Sequence, residues 1–584
     1  MRKTKIVCTL GPATDNEDTL RNLILNGMNV ARLNMSHQTE ILRKNRINSL
    51  KKLRKELHIP VALLLDTKGP EIRIGTFSTP KIHLKNKKKF TLYTEDIIGD
   101  ENGVSISYKK LTKDIYPGIK ILIDDGLIEL KVVECDDNTI TCVVVNGGIL
   151  SANKGINIPE INLPLPFINK KDKEDIKFAV DEGFDFIAAS FTRSYEDIKL
   201  LKEELSKYNG NHIKIISKIE NSEGLNNIDE ILRNSDGIMV ARGDLGVEIP
   251  MEEIPIIQKK LISKAYDVGK HVIIATQMLD SMVKQPRPTR AETTDVANAI
   301  YDGASAIMLS AETAAGKYPV LALKTMSKIA ERTERDIDYK KRFTKKDAIP
   351  ITTVTAAISH ATCSTAHDLG ATSILTVTKT GATAEAISKY KPSCPIIAGT
   401  TSKTVMRQMN LLWGVTPILM KEKNNTDELI ENIVNSAQSE GLISHGDLVV
   451  LTAGVPFGNS GTTNLLKVHL VGNILVSGLG ITKSSICANL CVCADEKEAR
   501  KNLKTGDILV IPAVSKKSLG LIKEASGIIT EIDGRDSYAA SVGLALNKPV
   551  IVGAKNATKF LHSGTTVTLN AEKGIVFSDT SCFR

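Results

Sequence analysis

The stretch IKIISKIENSEGLNNIDEILRNSDGIMVARGD, residues 213–244, alternates between two kinds of pattern. A short β-branched run opens it, a polar–apolar segment with the period of a helix follows, and a second apolar run, GIMVA, precedes the closing RGD. Strand–helix–strand alternation of this kind predicts parallel strands that are joined by crossover helices. The stretch therefore predicts an α/β fold.

The same alternation extends in both directions along the chain. Counted together, the strand-like runs number eight, which is the number that closes a (β/α)₈ TIM barrel. These runs are KTKIVCTLG, MNVARLNMS, PVALLLDTKG, FDFIAASF, IKIISKIE, SDGIMVARGD, HVIIATQML and ASAIMLSAE. We predict that residues 1–67 and 167–342 form this barrel.

Residues 68–166 interrupt the alternation. Short strand-like runs such as FTLYTED, GVSISY and TITCVVVNGG are joined here by Gly, Asn and Asp turns, and no long helical pattern intervenes. We predict an inserted β-barrel lid domain. Beyond the barrel, residues 343–470 predict an α/β domain, and residues 471–584 predict a further unit with alternating strands of its own.

The composition argues against some classes of function. The chain is 42% hydrophobic and 24% charged, as is ordinary for soluble globular proteins. Its net charge is +9, but basic residues are scattered among acidic ones and only 4% of residues are aromatic, so no nucleic-acid partner is expected. Neither an apolar run of about 18 residues nor an apolar N-terminal export segment is present, which predicts a cytoplasmic protein without a membrane partner.

Polar side chains follow most of the predicted barrel strands. Catalytic groups of such barrels lie at the C-terminal ends of the strands. A single Ser or Asp there is explained as well by a helix N-cap or a satisfied core group, but a whole set at one face is not. The set comprises Arg32, Asn34, Ser36, Asp66, Thr67, Lys218, Glu220, Asp244, Thr276, Ser310 and Glu312.

Glu220 and Asp244 end neighbouring strands, and both are hard oxygen donors. Two carboxylates and substrate oxygens are a usual way to hold Mg²⁺, while a role as salt-bridge partners is the alternative. Lys218 precedes Glu220 by two residues, so both side chains point to the same side of the strand. A cation beside a metal suits the charge of a transferring phosphoryl group.

Other groups near the strand ends suit anions and a monovalent cation. The segment Arg242-Gly243-Asp244 places backbone N–H groups between a strand and a loop, where a carboxylate or phosphate could bind. Arg32 and Arg73 offer forked donors for phosphate. Oxygen donors that suffice for a monovalent cation come from adjacent strand ends, at Asn34, Ser36, Asp66 and Thr67.

Nine strings follow one another between about residue 4 and residue 468. They are KIVCTLGPAT, ARLNMSH, LLLDTKGPEIRIG, KIEN, VARGDLGVEIP, ATQMLDSM, PTRAE, DVANAIYDGASAIMLSAETAAGKYP and AGVPFGNSGTTNL, and MLDSM followed by PTRAE is highly specific. In these strings the chain resembles the pyruvate kinase family. The resemblance implies a glycolytic phosphotransferase that converts phosphoenolpyruvate and ADP to pyruvate and ATP. It also implies Mg²⁺ (or Mn²⁺) and K⁺ as cofactors, and a homotetramer.

The resemblance further implies a role for each matching residue. Lys218 would stabilise the transferring phosphoryl group, and Arg32 would contact the substrate phosphate. Gly243, Asp244 and Thr276 would take the carboxylate of phosphoenolpyruvate, and a water relay at Thr276 and Ser310 would protonate the enolate. The remaining ligands would be Glu220 and Asp244 for Mg²⁺; Asn34, Ser36, Asp66 and Thr67 for K⁺; and Asn34, His37, Arg73 and Lys154 for the nucleotide.

Two further segments match parts of the family that concern the K⁺ requirement and regulation. Glu71 matches family members that require K⁺, so we expect a K⁺ requirement. The segment Thr378–Ala384, TKTGATA, resembles the loop that binds the phosphate of an allosteric effector, although a capped helix start explains it too. Candidate ligands of a phosphorylated allosteric effector are Thr378, Thr380, Gly381 and Thr383, with a second loop at Gly454–Thr463.

The last unit resembles the swivelling phosphohistidine domain of phosphoenolpyruvate-utilising enzymes. Where that family has Thr-Ser-His-Ala-Ala, this chain has Asp536-Ser537-Tyr538-Ala539-Ala540. Because Tyr538 replaces the histidine that accepts the phosphoryl group, we expect no phosphohistidine relay, and a structural role or a role in assembly instead.

Two other functions are compatible with parts of the sequence. A barrel lyase or aldolase acting on a metal-bound enolate would share Glu220 and Asp244, but it has no need of the lid, the K⁺ site or Arg73. A non-catalytic metabolite sensor could keep the same scaffold. The intact set of Lys218, Glu220, Asp244 and Thr276 argues against the sensor.

Overall fold

The computed structural model describes residues 2–36, 39–159, 161–345, 353–422, 426–455, 463–472, 474–532 and 534–578. The chain divides into two compact units, which we describe one at a time. The first contains Met1–His367, Leu375–Leu429 and Thr452–Leu465, and the second contains Asp368–Ile374, Ile430–Leu451 and Leu466–Arg584. Within the described ranges, no helix has both the length and the apolar character that crossing a membrane requires.

A closed barrel of eight strands forms the centre of the first unit. The strands are Lys5–Thr9, Val30–Asn34, Ala62–Asp66, Phe186–Ala189, Lys214–Ile219, Gly237–Ala241, His271–Ala275 and Ala306–Leu309. They follow chain order around the barrel, and the last strand pairs in parallel with the first, with Ala306 opposite Lys5. The predicted TIM barrel is therefore confirmed, and each of the eight predicted runs contains one strand.

The barrel strands are apolar along their whole length because both of their faces are covered. In His271–Ala275, for example, all five residues are buried. Ile273 and Ala275 face one apolar cluster, while Val272 and Ile274 belong to a second, larger one. The helices that pack against the larger cluster on the outer face are Glu17–Leu25, Glu40–Glu56, Lys170–Asp181, Tyr195–Lys207, Ile228–Asn234, Ile254–Val268, Arg290–Asp302 and Pro319–Asp336. Four other described helices of this part are Ser222–Asn226, Arg242–Glu248, Ala311–Ala314 and Tyr339–Lys345.

The inserted segment after the third barrel strand is built almost entirely from strands. A seven-stranded sheet has the order Ile72–Arg73, Gly155–Asn157, Lys120–Ile123, Ile128–Cys135, Thr139–Asn146, Lys89–Tyr93 and Gly103–Ser105. Lys81–Leu84 and Gly148–Ser151 form a separate pair, and the one helix described here is the single turn Leu111–Asp114. A bridge between Ile74 and Ile106 joins the two ends of the large sheet, so the sheet curls back on itself.

The segment after the barrel alternates helices and strands, as predicted. Its helices are Val354–Leu369, Ala382–Lys389, Lys403–Gln408 and Thr426–Ser439, and its strands are Ser373–Val377, Ile396–Thr400, Val415–Leu419, Leu448–Gly454 and Thr463–Leu470. Within the first unit, Ile396–Thr400 and Val415–Leu419 pair in parallel.

The second unit contains an eight-stranded mixed sheet. Its order is Ile474–Ser477, Ile575–Phe577, Thr566–Asn570, Ser485–Val492, Ile508–Ile511, Gly527–Thr530, Val550–Val552 and Leu479–Gly480. The helices described after residue 474 are Glu496–Asn502, Leu519–Glu524, Tyr538–Leu546 and Ala557–Phe560. Tyr538 is the first residue of its helix, directly after Ser537, whose side chain caps the helix by accepting from the Ala540 N–H.

Candidate active site

Charged side chains lie together at the C-terminal ends of the barrel strands. Arg32 lies on the second strand, Asp66 ends the third, Lys218 lies on the fifth, and Glu220 follows the fifth directly. Asp66 and Glu220 are each 1% exposed and Lys218 is 8% exposed. Charges removed from water to this extent require partners of opposite sign, so the network is a connected unit.

Lys218 is the centre of this network. Its Nζ donates to Asp66 Oδ1 at 3.1 Å and to Ser190 Oγ at 2.8 Å, and it lies 2.8 Å from Glu220 Oε1. Burial alone would lower the pKa of Lys218, but the neighbouring carboxylates outweigh burial and raise that pKa above its ordinary value. Lys218 is therefore a fixed cation, which suits a site where negative charge moves between oxygens.

Arg32 and Asp66 form the second part of the network. Arg32 Nε donates to Asp66 Oδ2 at 2.6 Å, and Arg32 Nη1 donates to Thr9 Oγ1 at 3.0 Å. Burial alone would raise the pKa of Asp66, but Arg32 and Lys218 hold it below the ordinary value. Asp66 is therefore an anion that orients two cations toward the barrel mouth.

Glu220 and Asp244 have the chemistry of a divalent-metal site. Glu220 Oε2 accepts the Phe191 N–H at 2.6 Å. Burial raises the pKa of Glu220 to about 8. The negative charge of Asp244 also raises this pKa, whereas the positive charge of Lys218 lowers it. A hard cation would offset this excess of negative charge, so the donor set fits Mg²⁺. Among the described residues, no group of three or more His, Cys, Asp or Glu side chains that could hold a metal occurs.

The predicted cation donors lie at the ends of the second and third barrel strands, with Ser36 and Thr67 just beyond them. Asn34 and Asp66 are directly opposite each other in the strand register. Asn34 Oδ1 accepts the Ser36 N–H at 3.0 Å, and the Thr67 carbonyl accepts from Ser190 Oγ at 2.7 Å. One carboxylate among neutral oxygens suits a monovalent cation better than a divalent one, so the donor set fits K⁺.

The strand end at Ala241 differs from the prediction. We expected a loop with free backbone N–H groups at Gly243, but the helix Arg242–Glu248 begins directly after the strand. As a result the Gly243 N–H donates to Thr276 Oγ1 at 2.8 Å. Asp244 lies in the first turn of this helix, directly after the glycine that contacts Thr276.

Thr276 belongs to a strained turn that other side chains hold in place. Thr276 and Gln277 have φ values of 67° and 53°, in the left-handed region that side chains with a Cβ rarely adopt. Arg242 Nη2 donates to the Thr276 carbonyl at 2.7 Å. Glu312 accepts the Leu279 N–H at 3.0 Å and the Ser310 N–H at 2.7 Å, so it links this turn to the predicted relay residue Ser310.

A cavity of about 610 Å³ lies between the inserted segment and the barrel, and its wall includes Asp244. The predicted nucleotide residues Arg73 and Lys154 also line it, and both are paired with acids of the inserted segment. Arg73 Nη2 lies 2.7 Å from Glu71 Oε2, and Lys154 Nζ lies 2.7 Å from Asp124 Oδ1. The nucleotide prediction for His37 lies outside the described residues.

Sequence reasoning missed two parts of the site. Ser190 follows the fourth barrel strand directly, so the rule that selected the other strand ends applied to it as well. Asp124 and Asp125 sit in the turn Ile123-Asp124-Asp125-Gly126, both at positive φ, and both line the cavity. Asp244 of the barrel lines the same cavity, and burial together with its negative charge raises the pKa of Asp125.

The candidate effector loop is largely bonded to itself. Thr378 Oγ1 accepts the Gly381 N–H at 3.0 Å, and the Thr380 hydroxyl lies 3.5 Å from the Ala382 nitrogen. Thr383 Oγ1 lies 2.9 Å from Thr463 Oγ1. The loop therefore also serves as the start of the helix Ala382–Lys389. Residues 456–462 of the second predicted loop lie outside the described residues.

The fold and the site together define a barrel enzyme of the phosphotransferase class, and comparisons with known proteins identify its family. Family models match residues 1–323 (pyruvate kinase, barrel domain), 356–469 (pyruvate kinase, alpha/beta domain) and 503–574 (PEP-utilising enzyme, mobile domain). Pyruvate kinases from Sporosarcina psychrophila and Geobacillus stearothermophilus are each 47% identical to this chain, over 99% of it and over 99% and 98% of their own lengths. A crystal structure of a pyruvate kinase from Cryptosporidium parvum matches with a TM-score of 0.76 at 41% identity, over 80% of this chain and 96% of that one.

This chain belongs to the pyruvate kinase family. It is a phosphotransferase, and its reaction is the glycolytic transfer of the phosphoryl group from phosphoenolpyruvate to ADP. Members of the family generally depend on Mg²⁺ and K⁺. Neither the lyase nor the sensor receives support from any of these matches.

Proposed function

We propose that the buried network around Lys218 is the catalytic centre of this phosphoryl transfer. The observation that carries the proposal is the position of Lys218 Nζ, within 3.1 Å of oxygens from Asp66, Ser190 and Glu220. A positive charge held in this way is already in place when charge accumulates on the migrating phosphoryl group, so no reorganisation is needed at that moment.

Substrate binding is assigned to residues around Lys218. Arg32 offers its guanidinium to the phosphate of phosphoenolpyruvate, and the carboxylate lies against Gly243, Asp244 and Thr276. This assignment requires the Gly243 N–H to exchange the Thr276 hydroxyl, now 2.8 Å away, for the substrate. Thr276 and Ser310, at the ends of adjacent barrel strands, support the water relay that protonates the enolate.

Two cations complete the proposed site. Glu220 and Asp244 would hold Mg²⁺ (or Mn²⁺), and Asn34, Ser36, Asp66 and Thr67 would hold K⁺. When bound, such cations neutralise negative charge on the phosphoryl group and on the enolate oxygen. The protein's own contribution is to bring the two carboxylates together near Lys218, where a bound cation would stabilise the ionised form of Glu220, whose pKa burial raises.

The nucleotide is assigned to the cavity beneath the inserted segment. Arg73 and Lys154 supply positive charge there, and Asn34 and His37 stay proposed as further nucleotide ligands. Both lid cations are paired with acids, so we expect ADP phosphates to compete with Glu71 and Asp124 for them. Closure of the segment over the cavity would exclude water, which competes with ADP as phosphoryl acceptor.

The remaining assignments concern regulation, assembly and location. We propose that Thr378, Thr380, Gly381 and Thr383 bind the phosphate of an allosteric effector, that the enzyme is a homotetramer, and that it acts in the cytoplasm. The five-part domain division of the sequence stays a proposal as well. With Tyr538 at the histidine position, the C-terminal unit is assigned a structural role or a role in assembly.

A coupled assay tests the proposal. Lactate dehydrogenase oxidises NADH as pyruvate forms from phosphoenolpyruvate and ADP. We expect turnover that EDTA abolishes and that falls severalfold when tetramethylammonium replaces K⁺. Addition of ribose 5-phosphate, AMP or fructose 1,6-bisphosphate identifies the effector class. Pyruvate release without ATP formation, or the absence of any turnover, would contradict the proposal.

A further inference from the structure

The Ser190 hydroxyl connects two parts of the site that the proposed function treats separately. Ser190 is 2% exposed and follows the fourth barrel strand, between the strands that carry Asp66 and Lys218. Its Oγ lies 2.8 Å from Lys218 Nζ, 2.7 Å from the Thr67 carbonyl oxygen and 3.1 Å from Asp66 Oδ1. One hydroxyl therefore touches the phosphoryl-transfer lysine and two proposed K⁺ ligands.

The direction of each hydrogen bond follows from counting protons. An ammonium group only donates, so Ser190 Oγ accepts from Lys218. The single hydroxyl proton is then available to the Thr67 carbonyl or to Asp66 Oδ1, and the carbonyl is the nearer of the two. A hydroxyl is the smallest group that accepts from the lysine and donates to the cation ligands at the same time.

The position of this hydroxyl is fixed by its surroundings. The Ser190 N–H donates to Thr67 Oγ1 at 3.1 Å, which ties the two strand ends together independently of the side chain. On the other side lies Gly69, at the entry to the inserted segment, where an added Cβ would come within 2.9 Å of Ser190 Cβ. Ser190 therefore has little freedom to move, and loss of its hydroxyl leaves the backbone contact intact.

We infer that Ser190 is a positioning residue that couples the monovalent-cation ligands to Lys218. It sets the spacing of Asp66 and Thr67, so that both oxygens are preorganised for K⁺, and it holds Lys218 in the orientation that phosphoryl transfer uses. The inference rests on the proposed roles of Lys218 and of the K⁺ ligands. It adds a physical route by which K⁺ binding and the alignment of Lys218 depend on each other.

Substitution of Ser190 by Ala tests this coupling. We expect kcat to fall about 10- to 100-fold, the factor that corresponds to the loss of one hydrogen bond to a charged group, with a smaller change in KM for phosphoenolpyruvate. A second readout, which does not depend on turnover, is the melting temperature as a function of KCl, with tetramethylammonium chloride keeping the ionic strength constant. In Ser190→Ala, the KCl concentration that gives half of the K⁺-induced rise in melting temperature should increase at least threefold.

Two variants make the result specific. Ser217→Ala removes another buried hydroxyl, on the fifth barrel strand, which contacts Ser235 Oγ at 2.7 Å and lies outside the network; it should behave as wild type in both readouts. Ser190→Thr keeps a hydroxyl and should restore much of kcat. Wild-type K⁺ response in Ser190→Ala, or an equal loss in Ser217→Ala, would overturn the inference. A wild-type enzyme that did not respond to K⁺ would instead contradict the proposed function.

Discussion

Individual residues of the site each contact several charged or polar groups. Asp66 gives one carboxylate oxygen to Arg32 and the other to Lys218, and Lys218 divides its protons among three acceptors. Asp66 and Lys218 each have more than one partner. Removal of either side chain therefore leaves at least two buried polar groups without one of their partners. Substitutions here should therefore affect turnover more than a pairwise contact would suggest.

Glu71 is the residue for which the sequence makes the sharpest statement about K⁺. It lies in the cavity wall and pairs with Arg73 at 2.7 Å. A lysine at this position places a fixed positive charge in the cavity and takes over part of the task of the monovalent cation. We expect Glu71→Lys to lower the ratio of kcat with K⁺ to kcat without K⁺ by about tenfold, equivalent to about 1.4 kcal/mol. Coupled assays in KCl and in tetramethylammonium chloride measure this ratio.

Glu71→Gln is the matched control for this experiment. It removes the same carboxylate and the same ion pair with Arg73 but supplies no cation. We expect its K⁺ requirement to persist. If Glu71→Lys responds to K⁺ as strongly as the Gln variant does, position 71 does not determine the requirement.

At the scale of elements, one barrel strand has different neighbours at its two ends. The strand His271–Ala275 leads into the strained Thr276 turn at one end, and at the other end His271 Nε2 faces Glu385 Oε1 at 3.6 Å. Glu385 belongs to the helix Ala382–Lys389, directly after the candidate effector loop. The same strand therefore contacts both the proposed substrate site and the helix behind the proposed effector site.

His271 makes this strand end sensitive to pH. Burial lowers the pKa of His271 to about 4, with Lys214 and Lys270 acting in the same direction and Glu385 and Asp236 opposing it. The folded protein therefore holds His271 neutral, while the unfolded chain titrates near its ordinary value of about 6.5. Above about pH 6.5, His271 is neutral in both states and does not reduce the free energy of unfolding. As the pH falls toward 4, protonation of the unfolded chain lowers the free energy of unfolding by up to about 1.4 kcal/mol per pH unit.

Thermal unfolding of the His271→Gln variant tests this assignment. Melting temperatures of wild type and variant are compared at pH 7.5 and pH 5.0. We expect wild type to lose more of its stability than the variant over this interval, since glutamine does not titrate. Equal losses in both proteins would show that another group causes the acid sensitivity.

For the whole molecule, the sequence predicted the barrel because each of its strands is a local pattern. A β-branched run followed by a helical period is visible in one stretch of chain, as in Ile213–Asp244. The same locality predicted Lys218 and Glu220 as neighbours, because residues two apart on a strand share a face. In the structure, Lys218 Nζ lies 2.8 Å from Glu220 Oε1.

What the sequence did not predict depends on contacts between distant segments. The donation from Gly243 to the Thr276 hydroxyl joins two strand ends, and nothing in the local pattern of either end shows that they meet. Ser190 was overlooked because one serine after a strand is ordinary, and its importance comes from Asp66, Thr67 and Lys218 on two other strands. The acids Asp124 and Asp125 have the pattern of turn residues, and only the folded structure shows that they line one cavity with Asp244.

The central claim is that Lys218 stabilises the transferring phosphoryl group, and its most direct test is the turnover of Lys218→Ala. We expect kcat to fall by at least about 10³-fold, as for the loss of a preorganised transition-state donor, while calorimetry still detects binding of Mg²⁺ and phosphoenolpyruvate. Lys214→Ala, at the opposite end of the same strand, is the control and should keep most of the activity. An unchanged kcat in Lys218→Ala would contradict the account.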